Sequence, residues 1–224
     1  MVELKEGHRQ RLRTRLIDSP KGALPDYEVL ELILFLAKPR GDTKPLAKEL
    51  INKFGSFAKV ISANSDSLKH IHGVGEAVIA AFRIIQEGAV RLIKEEVINS
   101  PILESWKCLI DYCRATMGHI KTEQFRVLYL DRKNMIIADD LQEAGTVDYV
   151  PVFPREIIKR ALYLEASSII LVHNHPSGNT KPSKADIEIT KRIMQIGEML
   201  GISLHDHVII SNKNHYSFKT NGLL

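Results

Sequence analysis

The sequence predicts an α/β protein in which a small all-α region precedes a sheet layered with helices. Residues up to about 94 carry apolar side chains at helical spacing almost throughout. The remainder alternates between helical segments and short apolar runs rich in β-branched residues, which is typical of a sheet covered by helices. Asn99-Ser100-Pro101 interrupts the periodicity between these regions, so we expect domains at residues 1–100 and 101–224.

Glycine, proline and capping residues divide the first region into helices. Pro39-Arg40-Gly41 breaks a helix that begins near residue 30. Asp42 or Thr43 can cap the next helix, which ends at Gly55. The predicted helices of this region span residues 30–37, 43–54, 57–61, 65–68 and 76–93.

The second region contains the predicted strands. Ser167 to Val172 is a nearly continuous apolar run, as expected of a buried strand. Pro154 can occupy the first position of a helix, where proline is tolerated, and Gly201 can end the long predicted helix at 183–200. The predicted helices span 103–117, 154–164 and 183–200, and the predicted strands span 125–130, 134–138, 167–172, 203–210 and 216–218.

Composition argues against membrane and disulfide-stabilised classes. The chain has 224 residues, is 44% hydrophobic and 26% charged, and no apolar run approaches the length of a membrane span. Cys108 and Cys113 form no CxxC pair and give no disulfide framework. We therefore expect a cytoplasmic protein with no membrane partner.

Two features of the first region could contact a nucleic acid. His72-Gly73-Val74-Gly75 resembles the hairpin of helix-hairpin-helix modules, in which backbone N–H groups hold a phosphate. No lysine or arginine lies between Gly73 and Phe82, so an ordinary structural turn is equally open. The second feature is a basic cluster, for which a solvated tail is the alternative; its members are Arg9, Arg11, Arg13 and Arg15.

A candidate metal site follows the buried strand at 167–172. His173 and His175 lie two residues apart, so both imidazoles are expected on one face of the strand end. Asp186 comes eleven residues after His175, near the start of the next helix, and the loop between them can bring its carboxylate to the imidazoles. Two nitrogens and one oxygen leave a fourth tetrahedral position for water, as a catalytic zinc site requires. Ser183 and Asp186 could instead form only a helix cap.

The spacing of these residues resembles a known motif. His173, His175, Ser183 and Asp186 match the JAMM motif H-x-H-x7-S-x2-D of the MPN-plus metalloprotease fold. The segment HNHPSGNTKPSKADIEIT, Pro154-Arg155-Glu156 and Asp206-His207 resemble the RadC family of bacterial proteins, and the likeness covers nearly the whole chain. It implies a JAMM/MPN-like (cytidine-deaminase-like) sheet after a helix-hairpin-helix-like domain, and one Zn²⁺ per chain.

The resemblance also implies roles for further residues. A glutamate that begins an earlier strand acts as general base in this class, and Glu123 is the matching position, with Glu143 as runner-up. An exposed strand-edge residue is the structural alternative for Glu123. Ser183 is the candidate hydroxyl donor to the oxyanion. His205, Asp206 and His207 could orient the ligands or hold the strand through interior polar contacts.

Three functions therefore remain open. The first is a zinc-dependent hydrolase of peptide or isopeptide bonds on a protein or peptide substrate. The second is a DNA-binding protein associated with repair or recombination, with an accessory metal site. The third is a structural or regulatory scaffold that kept its metal.

Overall fold

The computed structural model describes residues 3–102, 104–142 and 152–224. Packing divides the chain into two units, Met1–Ala89 and Val90–Leu224. The division falls inside one long helix, about ten residues before the expected boundary. The domain limits at residues 1–100 and 101–224 stay a prediction, since a change in packing does not define what folds alone.

The first unit is helical. Leu30, Leu34, Leu50 and Phe82 lie at the centre of its core, each at most 1% exposed. The N-terminal segment is a helix with a buried Leu12 rather than a solvated tail. The helices are α1 (Glu3–Asp18), α2 (Asp26–Ala37), α3 (Lys44–Phe54), α4 (Phe57–Ile61), α5 (Ser65–Lys69) and α6 (Glu76–Ile98), the last of which continues into the second unit.

The second unit is a five-stranded sheet with helices on both faces, as the sequence predicts. The strand order is β2-β1-β3-β4-β5, with β3 and β4 parallel and the other pairs antiparallel. The elements are α7 (Trp106–Met117), β1 (Phe125–Leu130), β2 (Ile136–Leu141), α8 (Pro154–Tyr163), β3 (Ser168–Asn174), α9 (Lys184–Met199), β4 (Ser203–Ile210) and β5 (His215–Ser217).

Alternation along β3 assigns its side chains to two cores. Ile169 and Leu171 pack with α8 and α9, whereas Ile170 and Val172 pack with α7. All seven residues of β3 are buried, which explains the continuous apolar run in its sequence. Continued by two residues, the same alternation puts His173 on the α8 and α9 side of the sheet.

The strand β2 begins later and extends further than the sequence predicts. Asp131 Oδ1 accepts hydrogen bonds from the backbone N–H groups of Lys133 and Met135, and Asn134 has a φ of 60°. The turn therefore occupies residues through Met135, and the strand starts at Ile136 rather than Asn134.

None of the helices in the described ranges combines the length and the apolar composition that crossing a membrane would require. The cytoplasmic location stays a prediction.

Candidate metal centre

The two histidines lie at the carboxyl end of the central strand. His173 lies between Phe125 of β1 and Ile209 of β4 in the sheet register and is 5% exposed. His175 extends the ladder by one step, because its backbone N–H donates to the Ile210 carbonyl at 2.9 Å. The Phe125 ring stacks on the His173 ring with centroids 5.8 Å apart. Sheet pairing and stacking together restrict both imidazoles.

A turn and a helix start bring the carboxylate to the histidines. Gly178 has a φ of 86°, a left-handed conformation that favours glycine, and its N–H donates to the His175 carbonyl. Ser183 caps α9, and its Oγ accepts from Asp186 N–H at 3.1 Å. Asp186 Oδ2 accepts from Ser183 N–H at 2.7 Å in return. The capping box and the approach of the carboxylate to the imidazoles therefore coexist.

Possible metal-ligand atoms of three residues converge at this place. His173 Nε2 lies 3.0 Å from His175 Nε2 and 3.3 Å from Asp186 Oδ1, and His175 Nε2 lies 3.6 Å from Asp186 Oδ2. Tetrahedral zinc with bonds of about 2.05 Å holds its ligand atoms about 3.3 Å apart. The separations and the two-nitrogen, one-oxygen donor set both fit that ion. Within the described ranges, this grouping includes no fourth His, Cys, Asp or Glu.

One imidazole has a defined proton position. His175 Nδ1 lies 2.7 Å from the carbonyl oxygen of Asn179, which can only accept. The Nδ1 of His175 therefore carries the proton, and in the neutral ring its Nε2 presents a lone pair to Asp186 and His173. A cation is needed to hold these lone pairs and the carboxylate together, and either a proton or a metal ion can supply it.

The pKa values of His175 and Asp186 reflect this need for a cation. Hydrogen bonding to Asp186 raises the pKa of His175 above its usual value. Burial alone would raise the pKa of Asp186, but the close approach of the His173 and His175 imidazoles to its carboxylate outweighs burial and lowers that pKa strongly. Asp186 is therefore ionised at neutral pH. Its charge favours a proton on His175 until a metal ion takes that place.

Glu123 and Ser183 line the same cavity as the three donors. The cavity measures about 640 Å³. Glu123 is half-buried, lies two residues before β1, and is close enough to His175 to raise its pKa. Glu143, the alternative base, lies outside the described residues. Charged side chains elsewhere in the lining are Lys181, Glu188 and Arg192.

Asn174 positions the segment that carries Glu123, and sequence reasoning missed it. Its Oδ1 accepts from Gln124 N–H at 2.7 Å, and its Nδ2 donates to the Thr122 carbonyl at 3.0 Å. The side chain is 1% exposed, so these bonds replace water. A polar residue between two histidines on an otherwise apolar buried strand is the signal that could have identified it.

The three residues of the His205-Asp206-His207 segment have different surroundings. His205 is half-buried, and burial lowers its pKa. Asp206 accepts hydrogen bonds from Ser217 Oγ and from the backbone N–H of Lys219, so it ties β4 to the residues after it. His207 is fully buried beside His173, with Nε2 2.8 Å from His173 Nδ1, and burial holds its pKa well below the usual value. His207 is therefore neutral.

The hairpin at residues 72–75 lies in the first unit, and its two glycines have different backbone conformations. Gly73 has a φ of 86°, which requires glycine, whereas Gly75 has a negative φ and open space around its Cα. Lys38, at the end of α2, donates its ammonium to the Gly73 carbonyl at 2.8 Å. A cation thus lies beside the hairpin, although it comes from the end of α2 and not from the segment between Gly73 and Phe82, which has no lysine or arginine.

The four N-terminal arginines have different surroundings. Arg9 donates to the carbonyls of Pro39, Lys38 and Gly41, and Arg15 pairs with Glu28 at 3.1 Å. Arg11 and Arg13 are exposed on α1. These two side chains are therefore better placed for an external phosphate than Arg9 or Arg15.

Fold and donor set together define the class. A mixed sheet with helices on both faces, carrying a His-x-His pair on its central strand and an aspartate at the next helix start, is a JAB/MPN-like domain with a candidate metal centre. Comparison with known proteins agrees, because the model of the RadC-like JAB domain matches residues 103–223.

Similar proteins extend over nearly the full chain. A UPF0758 protein from Rhodobacter capsulatus is 53% identical over 213 residues, which cover 95% of this chain and 100% of the relative. A UPF0758 protein from Ruegeria pomeroyi is 52% identical over 217 residues, which cover 97% of each. The chain belongs to the RadC family.

Proposed function

We propose that this chain is a zinc-dependent hydrolase of JAMM type that cleaves an amide bond in a protein or peptide, with one Zn²⁺ per chain. The observation that carries the proposal is the convergence of His173, His175 and Asp186. Their two Nε2 atoms lie 3.0 Å apart, and these nitrogens lie 3.3 and 3.6 Å from the two carboxylate oxygens of Asp186, close to the ligand spacing of a tetrahedral ion. The cavity beside it supplies room for a substrate and for water.

The donor types favour zinc among common metal ions. Calcium and magnesium prefer shells made of oxygen alone, whereas two imidazoles and one carboxylate suit zinc. His173 belongs to the sheet, His175 follows it and is hydrogen-bonded to Ile210 of β4, and Asp186 lies at a capped helix start, so the three side chains are held before any ion arrives. When bound, zinc supplies a Lewis acid that makes water a nucleophile near neutral pH.

Glu123 and Ser183 supply the proton chemistry of this mechanism. A carboxylate oxygen of Glu123 takes one proton from the attacking water and delivers it to the nitrogen of the leaving amine. The water oxygen first bonds to the carbonyl carbon, which leaves the negative charge on the carbonyl oxygen. The carbon–nitrogen bond then breaks as the nitrogen receives the proton from Glu123 and the carbonyl re-forms. Ser183 Oγ accepts from Asp186 N–H, so its own proton can be donated to the oxyanion.

A paired activity measurement tests this function. The zinc-loaded chain is incubated with peptide and isopeptide libraries beside Glu123→Gln, which keeps the size of the side chain but cannot hold the water's proton. We expect Glu123→Gln to retain zinc and to lose about 10²–10⁴-fold in turnover. Glu188→Gln, in the same cavity, is the matched control and should retain most activity. Equal activity of all three proteins would contradict the assignment of Glu123.

DNA binding by the first unit is a second candidate function. Exposed Arg11 and Arg13 on α1 support phosphate contacts by this unit, and Lys38 adds a positive charge beside the hairpin although its ammonium is bonded to the Gly73 carbonyl. A hydrolase with such a unit could act on proteins bound to DNA, so the two functions are compatible.

A further inference from the structure

Four residues form a closed path of contacts around the metal centre. His173 Nδ1 lies 2.8 Å from His207 Nε2, and His207 Nδ1 lies 2.6 Å from Thr190 Oγ1. Thr190 Oγ1 donates to the backbone carbonyl of Asp186, one turn earlier on α9. Asp186 then closes the path, because its carboxylate lies 3.3 Å from His173 Nε2. One turn of α9 therefore acts on both ring nitrogens of His173: the Asp186 carboxylate contacts Nε2 directly, and Thr190 reaches Nδ1 through His207.

The chemistry of each atom fixes the direction of every proton along this path. A carbonyl oxygen can only accept, so the Thr190 hydroxyl donates its proton to the Asp186 carbonyl. The hydroxyl oxygen is left as an acceptor for His207, whose Nδ1 must carry a proton. A neutral imidazole has one N–H, so Nε2 of His207 accepts, and Nδ1 of His173 donates to it.

The consequence is a bare Nε2 on His173. That atom is the one that faces Asp186 and His175, where a proton would exclude a metal ion. For His175 the Asn179 carbonyl imposes the same tautomer directly. The two imidazoles are thus oriented by different means. His175 is oriented by the Asn179 carbonyl, and His173 by the buried hydrogen bonds through His207 and Thr190, which we call the relay.

We propose that His207 is a positioning residue that holds His173 in its metal-binding tautomer, with Thr190 as the group that orients His207. The inference rests on the proposed zinc function. The surroundings suit the task, because His207 is fully buried, its ring stacks on Phe218 with centroids 4.5 Å apart, and Thr190 is 1% exposed. The imidazoles of His173 and His207 are both buried, so neither can rotate easily to exchange the positions of its two nitrogens.

An isosteric pair of variants at Thr190 tests the relay. Thr190→Val keeps the shape and removes the oxygen, whereas Thr190→Ser keeps the hydroxyl. The measurement is the zinc dissociation constant by competition with a chelator. We expect it to weaken about tenfold in Thr190→Val, the lower end of the range for partners of metal ligands, and to stay within about twofold in Thr190→Ser.

Variants at His207 give a stronger signal and a rescue. His207→Leu removes both contacts and should weaken zinc binding by about 10–100-fold. The amide of His207→Gln can still accept from His173 and donate to Thr190, so it should recover part of the loss. Thermal unfolding of both variants without zinc separates this effect from a folding defect. Equal zinc affinity in the Leu and Gln variants would overturn the role.

A spectroscopic measurement makes the test independent of zinc. Long-range ¹H–¹⁵N spectra of the metal-free chain, recorded well above the pKa of His175, report which nitrogen of His173 carries its proton. We expect Nδ1 in the native chain and a growing Nε2-protonated population in Thr190→Val. Nε2 protonation in the native chain would overturn the relay. Native-like spectra without zinc binding would instead reject the hydrolase and leave the relay intact.

Discussion

The metal centre and the glycine hairpin of the first unit show how differently two sequence motifs define a site. At the metal centre, side chains converge because the sheet, a helix cap and a buried relay fix each one separately. At the hairpin, the donors are backbone groups, and the nearby cation Lys38 already binds the Gly73 carbonyl. Convergence of several independently fixed side chains therefore gives the stronger evidence of function.

The largest expected effect that tests this contrast is at Asp186. Asp186→Ala removes a ligand and half of the capping box, so stoichiometric zinc and at least about 10²-fold of activity should be lost. The helix cap alone is worth about 1 kcal/mol of unfolding free energy. Metal analysis and chemical denaturation measure the two effects. Ser183→Ala removes the side-chain cap but no metal ligand, so it is the control for zinc binding and should retain zinc, although its activity should fall with the loss of the proposed oxyanion donor.

The next effect concerns Asn174, which positions Glu123 without contacting the metal donors. Asn174→Ala should lower turnover about tenfold while the zinc dissociation constant stays near the native value. A double-mutant cycle identifies the cause, since Asn174→Ala should have little further effect on turnover in a Glu123→Gln background. Additive losses would show that Asn174 acts by another route.

The pH dependence of zinc binding gives a moderate effect with a defined sign. The pKa of His175 is raised by Asp186, so below that pKa a proton occupies the place of the ion. Zinc affinity should therefore fall as the pH falls through this pKa, by about tenfold per pH unit for each displaced proton. Asp186 stays ionised in this range because its own pKa is lowered. Isothermal titration at several pH values measures the slope, and a flat profile would contradict the coupling.

The smallest effect is expected in the first unit. Arg11→Ala combined with Arg13→Ala should weaken binding of a short DNA duplex and lower the salt slope by about 0.9 for each lost phosphate contact. Arg9→Ala would also break its bonds to three carbonyls, so it is a poor probe. Lys184→Ala combined with Lys191→Ala, on the second unit, removes the same two positive charges and is the control. No measurable DNA binding at low salt would reject this function.

Local patterns predicted most of the fold and which three residues converge at the candidate metal centre. The strand β1 and the helix α4 have the predicted bounds, because apolar periodicity and turn residues define them. His173, His175 and Asp186 were predictable because strand alternation and a capped helix are local rules. The sequence did not reveal Thr190 and Asn174, whose partners lie 17 and about 50 residues away along the chain. Such contacts depend on which strands pair, and one sequence does not state that.

Metal content measures the central claim most directly. The native chain, purified without chelators and analysed by mass spectrometry of its elements, should carry one zinc per chain, and an excess of chelator should remove it. Restoring zinc to the stripped protein should bring the stoichiometry back to one. A native chain that neither contains zinc nor takes it up at neutral pH would contradict the metal centre and the mechanism built on it.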